Sequence, residues 1–122
     1  MSNHEDGIKI FSDMMPDLKG AGEQTSERFA HELGNLSLDY AFGTLWSRPG
    51  LDRRLRSLVT LGILIALRAS GEMAVHFSLA MRNGLTRGEL EEVIYHATAY
   101  AGFPAASEAS HVATKSLENK KD

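Results

Sequence analysis

The segment from Leu58 to Leu67 restricts the fold more than any other part of this sequence. It is apolar apart from one threonine and one glycine, and three arginines lie just ahead of it. Asp52 precedes those arginines and is a residue type that caps helix N-termini. The run is about half as long as a bilayer crossing requires. It therefore predicts a helix that is apolar all round and lies at the centre of a helical bundle.

Helical signals also precede this segment. From Ser26 onward, apolar residues recur at three- and four-residue spacing, which predicts a long amphipathic helix capped by Thr25 or Ser26. The Pro49-Gly50 pair then predicts a turn. The residues of the predicted stripe are Phe29, Leu33, Leu36, Tyr40 and Thr44.

Three further helices are predicted downstream. Ser70-Gly71 separates the central helix from one that runs from Glu72 to Asn83, ahead of a glycine that suits a helix C-cap. The next helix spans Thr86–Gly102, and Glu89 completes a capping box with its threonine. The last helix begins at Pro104 and is rich in alanine, which lets helices approach closely.

These elements predict an all-α fold in one domain over residues 1–122. Hydrophobic residues make up 43% and charged residues 24%, an ordinary globular balance. We expect a compact bundle of five or six helices with its core at about residues 26–117 and flexible termini. The two helices between Glu72 and Ala101 should form a central hairpin.

Composition excludes several classes of function. The chain has no cysteine, which excludes disulfides, thiolate metal sites and thiol redox chemistry. A net charge of -3 argues against a nucleic-acid partner. The start of the chain lacks a basic and apolar leader, so we predict a cytoplasmic protein that does not insert in a membrane.

Glu72 and His76 are the first candidates for chemistry. They lie four residues apart on one predicted helix, so their side chains can touch. A carboxylate beside an imidazole would raise its basicity and keep a proton donor available near neutral pH. An exposed pair that only stabilises the helix is the alternative interpretation.

His96 and Tyr100 lie one helix further on. Within an antiparallel hairpin, His76 and His96 would be at similar distances from the turn and could face one another across a pocket. A half-buried histidine bonded to a backbone carbonyl is the alternative. Arg48 belongs to an arginine cluster near Pro49, where an anionic small molecule could bind. No metal is predicted, because no two histidines have ligand spacing on one helix.

Five short motifs follow one another along the second half of the chain. They are W-S-R-P-G-L at Trp46–Leu51, R-S-L-V-T-L at Arg56–Leu61, E-M-A-V-H at Glu72–His76, N-G-L-T at Asn83–Thr86 and Y-A-G-F-P-A-A at Tyr100–Ala106. Together they resemble the carboxymuconolactone decarboxylase family over about Phe42 to Leu117. Cysteines of its alkylhydroperoxidase-D-like branch are replaced by Ala69 and Glu72, so the decarboxylase branch is the nearer one.

The resemblance implies an alkylhydroperoxidase-D-like helical subunit in a symmetric homo-oligomer, a hexamer or a trimer, with pockets near subunit contacts. It also implies cofactor-free decarboxylation of 4-carboxymuconolactone, a small anionic lactone, in protocatechuate breakdown. On this basis His76 is the proton donor oriented by Glu72, and His96 supports the charge that develops on the lactone oxygen. The implied substrate-binding residues are Arg48, Trp46 and Tyr100.

Three positions leave the substrate open. Thr44 stands where the family commonly has a glutamate, and Ala74 and Ser78 stand where basic residues often flank the histidine. A relative that acts on another lactone is one alternative, and a non-enzymatic helical oligomer module is the other. A pocket that contains Glu72, His76 and His96 would favour the enzyme.

Overall fold

Helices build both of the units into which the chain divides, residues 1–51 and residues 52–122. The computed structural model describes residues 2–16, 28–118 and 120. Within these ranges there are six α-helices, one π-helical segment and no strand. The prediction of an all-α fold is confirmed.

The N-terminal unit contains α1 (Asn3–Met14), the short α2 (Leu33–Leu36) and the π-helix Ser37–Trp46 that continues it. Ser2 caps α1, because its hydroxyl accepts a hydrogen bond from the backbone N–H of Glu5 at 3.1 Å. Helix therefore begins at Asn3, well ahead of the core expected from about residue 26.

Two glycines bring α1 and the π-helix into backbone contact. A Cβ atom on Gly7 would lie 1.9 Å from the carbonyl oxygen of Leu38, and one on Gly43 would lie 2.0 Å from that of Asn3. Neither position has room for a side chain. A hydrogen bond of 2.6 Å between His4 Nδ1 and Asp39 Oδ1 joins the same two helices.

The long amphipathic helix predicted before Pro49 is different in the structure. Its expected caps lie outside the described residues, and α2 begins only at Leu33. The π-helix has a wider turn than an α-helix, with i to i+5 hydrogen bonds. Leu38 and Phe42 are the large buried side chains, whereas Leu36 and Tyr40 of the predicted stripe are exposed.

The C-terminal unit contains four helices, and the N-caps of two of them follow the sequence signals. The Asp52 carboxylate accepts a hydrogen bond from Leu55 N at 2.9 Å. Thr86 and Glu89 form the predicted capping box, and Gly102 has a φ of +91°. These starts and stops are confirmed. The helices are α3 (Arg53–Leu67), α4 (Ser70–Arg82), α5 (Arg87–Ala101) and α6 (Phe103–Ser116).

The core of this unit forms where α3 meets the other three helices. α4 and α5 both pack on α3 and on α6, and make few contacts with each other. The connection between them is thus not a tightly packed hairpin, and it does not bring His76 and His96 face to face. Fully buried core side chains include Leu61, Ile65, Met73, Phe77 and Ala109.

One face of α3 is exposed in the single chain, although the helix is apolar all round from Leu58 to Leu67. We call this face the α3 stripe, and its residues follow four-residue spacing: Leu55, Val59, Ile63 and Leu67. None of the helices within the described ranges has the length and apolar character needed to cross a membrane.

The break between α3 and α4 also differs from the prediction. Arg68 ends α3 in a left-handed conformation, with a φ of +56°. Ser70 and Gly71, expected to be the separator, form the first turn of α4.

Candidate functional site

Glu72 and His76 are neighbours on α4, as their spacing predicted. The distance from His76 Nε2 to Glu72 Oε2 is 4.0 Å, which is too long for a hydrogen bond but close enough for electrostatic interaction. Only 11% of the His76 side chain is exposed, against 69% of that of Glu72. The imidazole of His76 is therefore largely buried, and the carboxylate of Glu72 faces solvent.

Burial determines the ionisation of His76. Desolvation lowers its pKa below the ordinary 6.5, and the nearby Glu72 carboxylate offsets only part of this effect. The expectation that the carboxylate makes this histidine more basic than usual is wrong, because burial outweighs it. At neutral pH the ring is mostly uncharged, and its protonated form is a stronger acid than an ordinary imidazolium.

A groove of about 830 Å³ lies between α3 and α5. Small residues of α3, Gly62 and Ala66, and of α5, Ala97 and Ala101, leave this space open, and Leu58 and Val93 make its wall apolar. We call it the α3–α5 groove. His96 and Tyr100 line it, and their ring centroids are 5.3 Å apart at an interplanar angle of 40°.

Two carboxylates lie at the rim of the α3–α5 groove. Glu89 forms an ion pair with Arg54 and also completes the cap of α5. Glu92 is exposed and lies four residues before His96. No lysine or arginine lines the groove among the residues that the structure describes. The charged side chains that line the groove are therefore carboxylates, and that of Glu89 is paired with Arg54.

Sequence reasoning missed the lining role of Glu92. The signal was present, because Glu92, His96 and Tyr100 follow one another at four-residue spacing and so share a helix face. The same rule had identified Glu72 and His76.

The predicted site residues do not all meet in the single chain. Glu72 lies beside His76, and His96 lies beside Tyr100, but neither Glu72 nor His76 lines the α3–α5 groove. The pocket expected to favour the enzyme over the helical module is therefore not formed by one copy within the described residues.

Two predicted substrate-binding residues, Trp46 and Arg48, belong to the N-terminal unit. The Trp46 ring stacks on Phe42, with ring centroids 6.0 Å apart. Arg48 is exposed in the turn after the π-helix, where its backbone N–H donates to Leu45 O at 3.2 Å. In the described part of the chain, no group of three or more histidines and carboxylates is placed to hold a metal ion.

Comparison with known families identifies the chain. The model of the carboxymuconolactone decarboxylase family matches residues 31–115, more than half of the sequence. The chain belongs to the carboxymuconolactone decarboxylase family. The resemblance seen in its motifs is thereby confirmed.

Two relatives in this family carry names that describe a reaction. The 4-carboxymuconolactone decarboxylase of Acinetobacter baylyi is 44% identical over 85 residues, which are 70% of this chain and 63% of that protein. The nitrosuccinic acid decarboxylase of Metarhizium robertsii is 35% identical over 119 residues, 97% of this chain and 83% of that protein. The chain thus spans less than two thirds of the bacterial relative.

The three positions that left the substrate open take part in hydrogen bonds of the described structure. Thr44 Oγ1 donates to the carbonyl oxygen of Asp39 at 3.1 Å, within the π-helix. The Ser116 hydroxyl of α6 donates to Ala74 O at 2.5 Å and lies 3.1 Å from Ser78 Oγ. The hydroxyl of Ser78 and the backbone carbonyl of Ala74 therefore help to fix α4 against α6.

Proposed function

We propose that this protein is a carboxy-lyase that removes carbon dioxide from 4-carboxymuconolactone or a related small carboxylated acid without a cofactor. The observation that carries the proposal is the alignment of 97% of the chain with a protein named as a decarboxylase. The match to a second named decarboxylase over 70% of the chain supports the same reaction type.

The two named substrates share the chemistry that makes a cofactor unnecessary. When the carbon–carbon bond to the departing carboxylate breaks, its electron pair moves onto an oxygen atom of the substrate. In 4-carboxymuconolactone the pair moves through a double bond to the lactone carbonyl oxygen, and in nitrosuccinic acid it moves to an oxygen of the nitro group. Carbon dioxide leaves, and the carbon is then protonated. The protein has to bind carboxylates, stabilise the developing oxygen anion and supply a proton.

His76 is our proposed proton donor, and Glu72 is its partner. Histidine is the side chain most often used for proton transfer near neutral pH. Burial lowers the pKa of His76, so its protonated ring gives up a proton readily, while the exposed Glu72 carboxylate favours reprotonation. Low exposure also holds the ring in one place, which efficient proton transfer requires.

Binding of the substrate carboxylates is assigned to Arg48, since a guanidinium binds both oxygens of a carboxylate. Trp46 and Tyr100 are the proposed contacts to the ring of the substrate, and His96 is the proposed support for the developing oxygen anion. Replacing Arg48 with alanine should raise the KM about tenfold or more with a smaller change in kcat, because a charged hydrogen bond contributes about 1.5–3 kcal/mol.

The complete pocket, in this proposal, forms where copies of the chain meet. The exposed α3 stripe is apolar, and it borders a groove that contains His96 and Tyr100 but not His76. A symmetric homo-oligomer would cover the stripe and could bring a second set of side chains to the groove. Light scattering should give a mass of several subunits, and Ile63→Glu in the α3 stripe should lower that mass.

The reaction is tested by incubating the purified chain with 4-carboxymuconolactone, other carboxylated butenolides and nitrosuccinic acid while carbon dioxide release is measured. We expect release from at least one of them, and loss of most of it in His76→Ala. A folded oligomer that releases no carbon dioxide from any of these acids would favour the non-enzymatic module instead.

A further inference from the structure

We propose that Glu108 is a positioning residue for the Glu72–His76 pair, because its carboxylate fixes the first turn of α4. This inference rests on the proposed function, in which that pair transfers the proton. Glu108 itself lies on α6 and does not line the α3–α5 groove.

The carboxylate of Glu108 binds both sides of the break between α3 and α4. Its Oε1 atom accepts from Arg68 Nη2 at 2.9 Å and from Arg68 Nε at 3.2 Å. Its Oε2 atom accepts a hydrogen bond from the hydroxyl of Ser70. One side chain of α6 thus holds Arg68, the residue that follows α3, and Ser70, the first residue of α4.

The start of α4 needs this support because it has little of its own. Ala69 occupies the N-cap position and offers no side-chain hydrogen bond to the helix. Arg68 adopts a left-handed conformation that costs a non-glycine residue about 1 kcal/mol and persists only where surrounding contacts fix it. A negative charge near a helix N-terminus is also favourable. Glu108 supplies both the contacts and the charge.

The consequence for the site follows from the position of Glu72 in the same first turn. Glu72 is exposed and makes no hydrogen bond to His76 across 4.0 Å, so the electrostatic effect between them depends on where that turn lies. His76 lies further along α4 and is held by its burial. Release of the first turn should therefore move Glu72 relative to His76 and leave His76 in place.

The contacts of Glu108 also persist over the pH range in which histidine titrates. Hydrogen bonds from Ser70 and Arg68 lower the pKa of the Glu108 carboxyl. The carboxylate therefore stays ionised over the pH range in which an ordinary histidine, with a pKa of 6.5, titrates.

The test compares Glu108→Ala and Ser70→Ala with a control, Glu91→Gln, which changes an exposed carboxylate of α5. The readouts are the pKa of the His76 ring by NMR, kcat and KM. In Glu108→Ala we expect the His76 pKa to fall further, because the carboxylate that raises it has moved away. We also expect kcat to fall about tenfold, with KM nearly unchanged and helical circular dichroism intact. The control should change none of these.

Ser70→Ala removes one hydrogen bond only and should shift the His76 pKa in the same direction by less. If Glu108→Ala does not fold, the His76 pKa in Ser70→Ala tests the positioning role of Glu108. An unchanged His76 pKa in the folded variants would overturn the proposal and leave Glu108 with a role in stability alone. The NMR readout needs no substrate, so a failure of the proposed reaction would be seen separately, as missing turnover in the unmodified protein.

Discussion

The C-terminal unit contains the same local pattern twice, a glutamate followed four residues later by a histidine, in two different environments. On α4, His76 is almost buried, and its neighbours Met73 and Phe77 are fully buried. On α5, His96 is exposed at the α3–α5 groove. The spacing is identical, but His76 is in surroundings that lower its pKa by desolvation, whereas His96 faces solvent.

This difference shows that spacing along a helix and packing in the fold decide different things. Four-residue spacing is enough to place a carboxylate beside a histidine. Whether that carboxylate raises the pKa above the ordinary value depends on how much water the histidine loses, and helices distant in the sequence decide this. The following predictions test which of the two pairs performs the chemistry.

The largest effect is expected from removing the two histidines in turn. His76→Ala should lower turnover about a hundredfold or more, since general acid catalysis contributes at least that much. His96→Ala should lower it less, because His96 is assigned only a supporting interaction with the developing charge. Turnover is measured at saturating substrate, with circular dichroism to confirm the fold. A larger loss of turnover in His96→Ala than in His76→Ala would assign the role of proton donor to His96 in the α3–α5 groove.

The pH dependence of turnover should identify the active form of His76. If the protonated ring donates the proton, turnover rises as pH falls below 6.5 towards the lowered pKa. Glu72→Gln removes the carboxylate that raises this pKa, so the rise should move to lower pH. Glu92→Gln is the matched change in the other pair and should not move it. Turnover that instead falls along with pH would assign the reaction to the neutral ring.

The local part of the fold could be predicted from the sequence because its causes are local. The cap of α3 at Asp52 and the box formed by Thr86 and Glu89 depend on residues three positions apart. The contact between Glu72 and His76 depends on residues four apart. In each case the residues and their spacing are sufficient.

The features that were predicted wrongly depend on distant parts of the chain. The π-helix Ser37–Trp46 packs on α1, where Gly7 admits a close backbone approach, and no pattern within the segment indicated the wider turn. The apolar character of α3 follows from its own residues, whereas the face that stays exposed in one copy depends on how the other helices pack. The lowered pKa of His76 likewise results from burial by other helices.

The same pKa shift should make folding stability depend on pH. His76 binds a proton less readily in the folded chain than in the unfolded chain, for which the ordinary value of 6.5 applies. The contribution of the neutral His76 ring to the free energy of unfolding is therefore fully present above pH 6.5. It is lost as the pH falls towards the pKa of His76 in the folded chain. Urea unfolding of the unmodified chain and of His76→Gln at several pH values measures this, and the variant should lose less stability on acidification. Equal pH dependence in both would show that His76 is not desolvated.

The smallest expected effect concerns the floor of the α3–α5 groove at Gly62. A Cβ atom at this position would have no other atom within 4 Å, and the residue lies inside α3. Gly62→Ala should therefore stabilise the chain by about 0.5–1 kcal/mol, because alanine loses less backbone entropy in a helix than glycine does. Chemical denaturation measures this gain. If the groove admits the substrate or a second copy of the chain, the added methyl group would meet that occupant. A loss of stability that grows with protein concentration would then show that a second copy lies against α3. A raised KM without a change in kcat would show that the substrate does. Neither effect should accompany a change at the exposed Gly71.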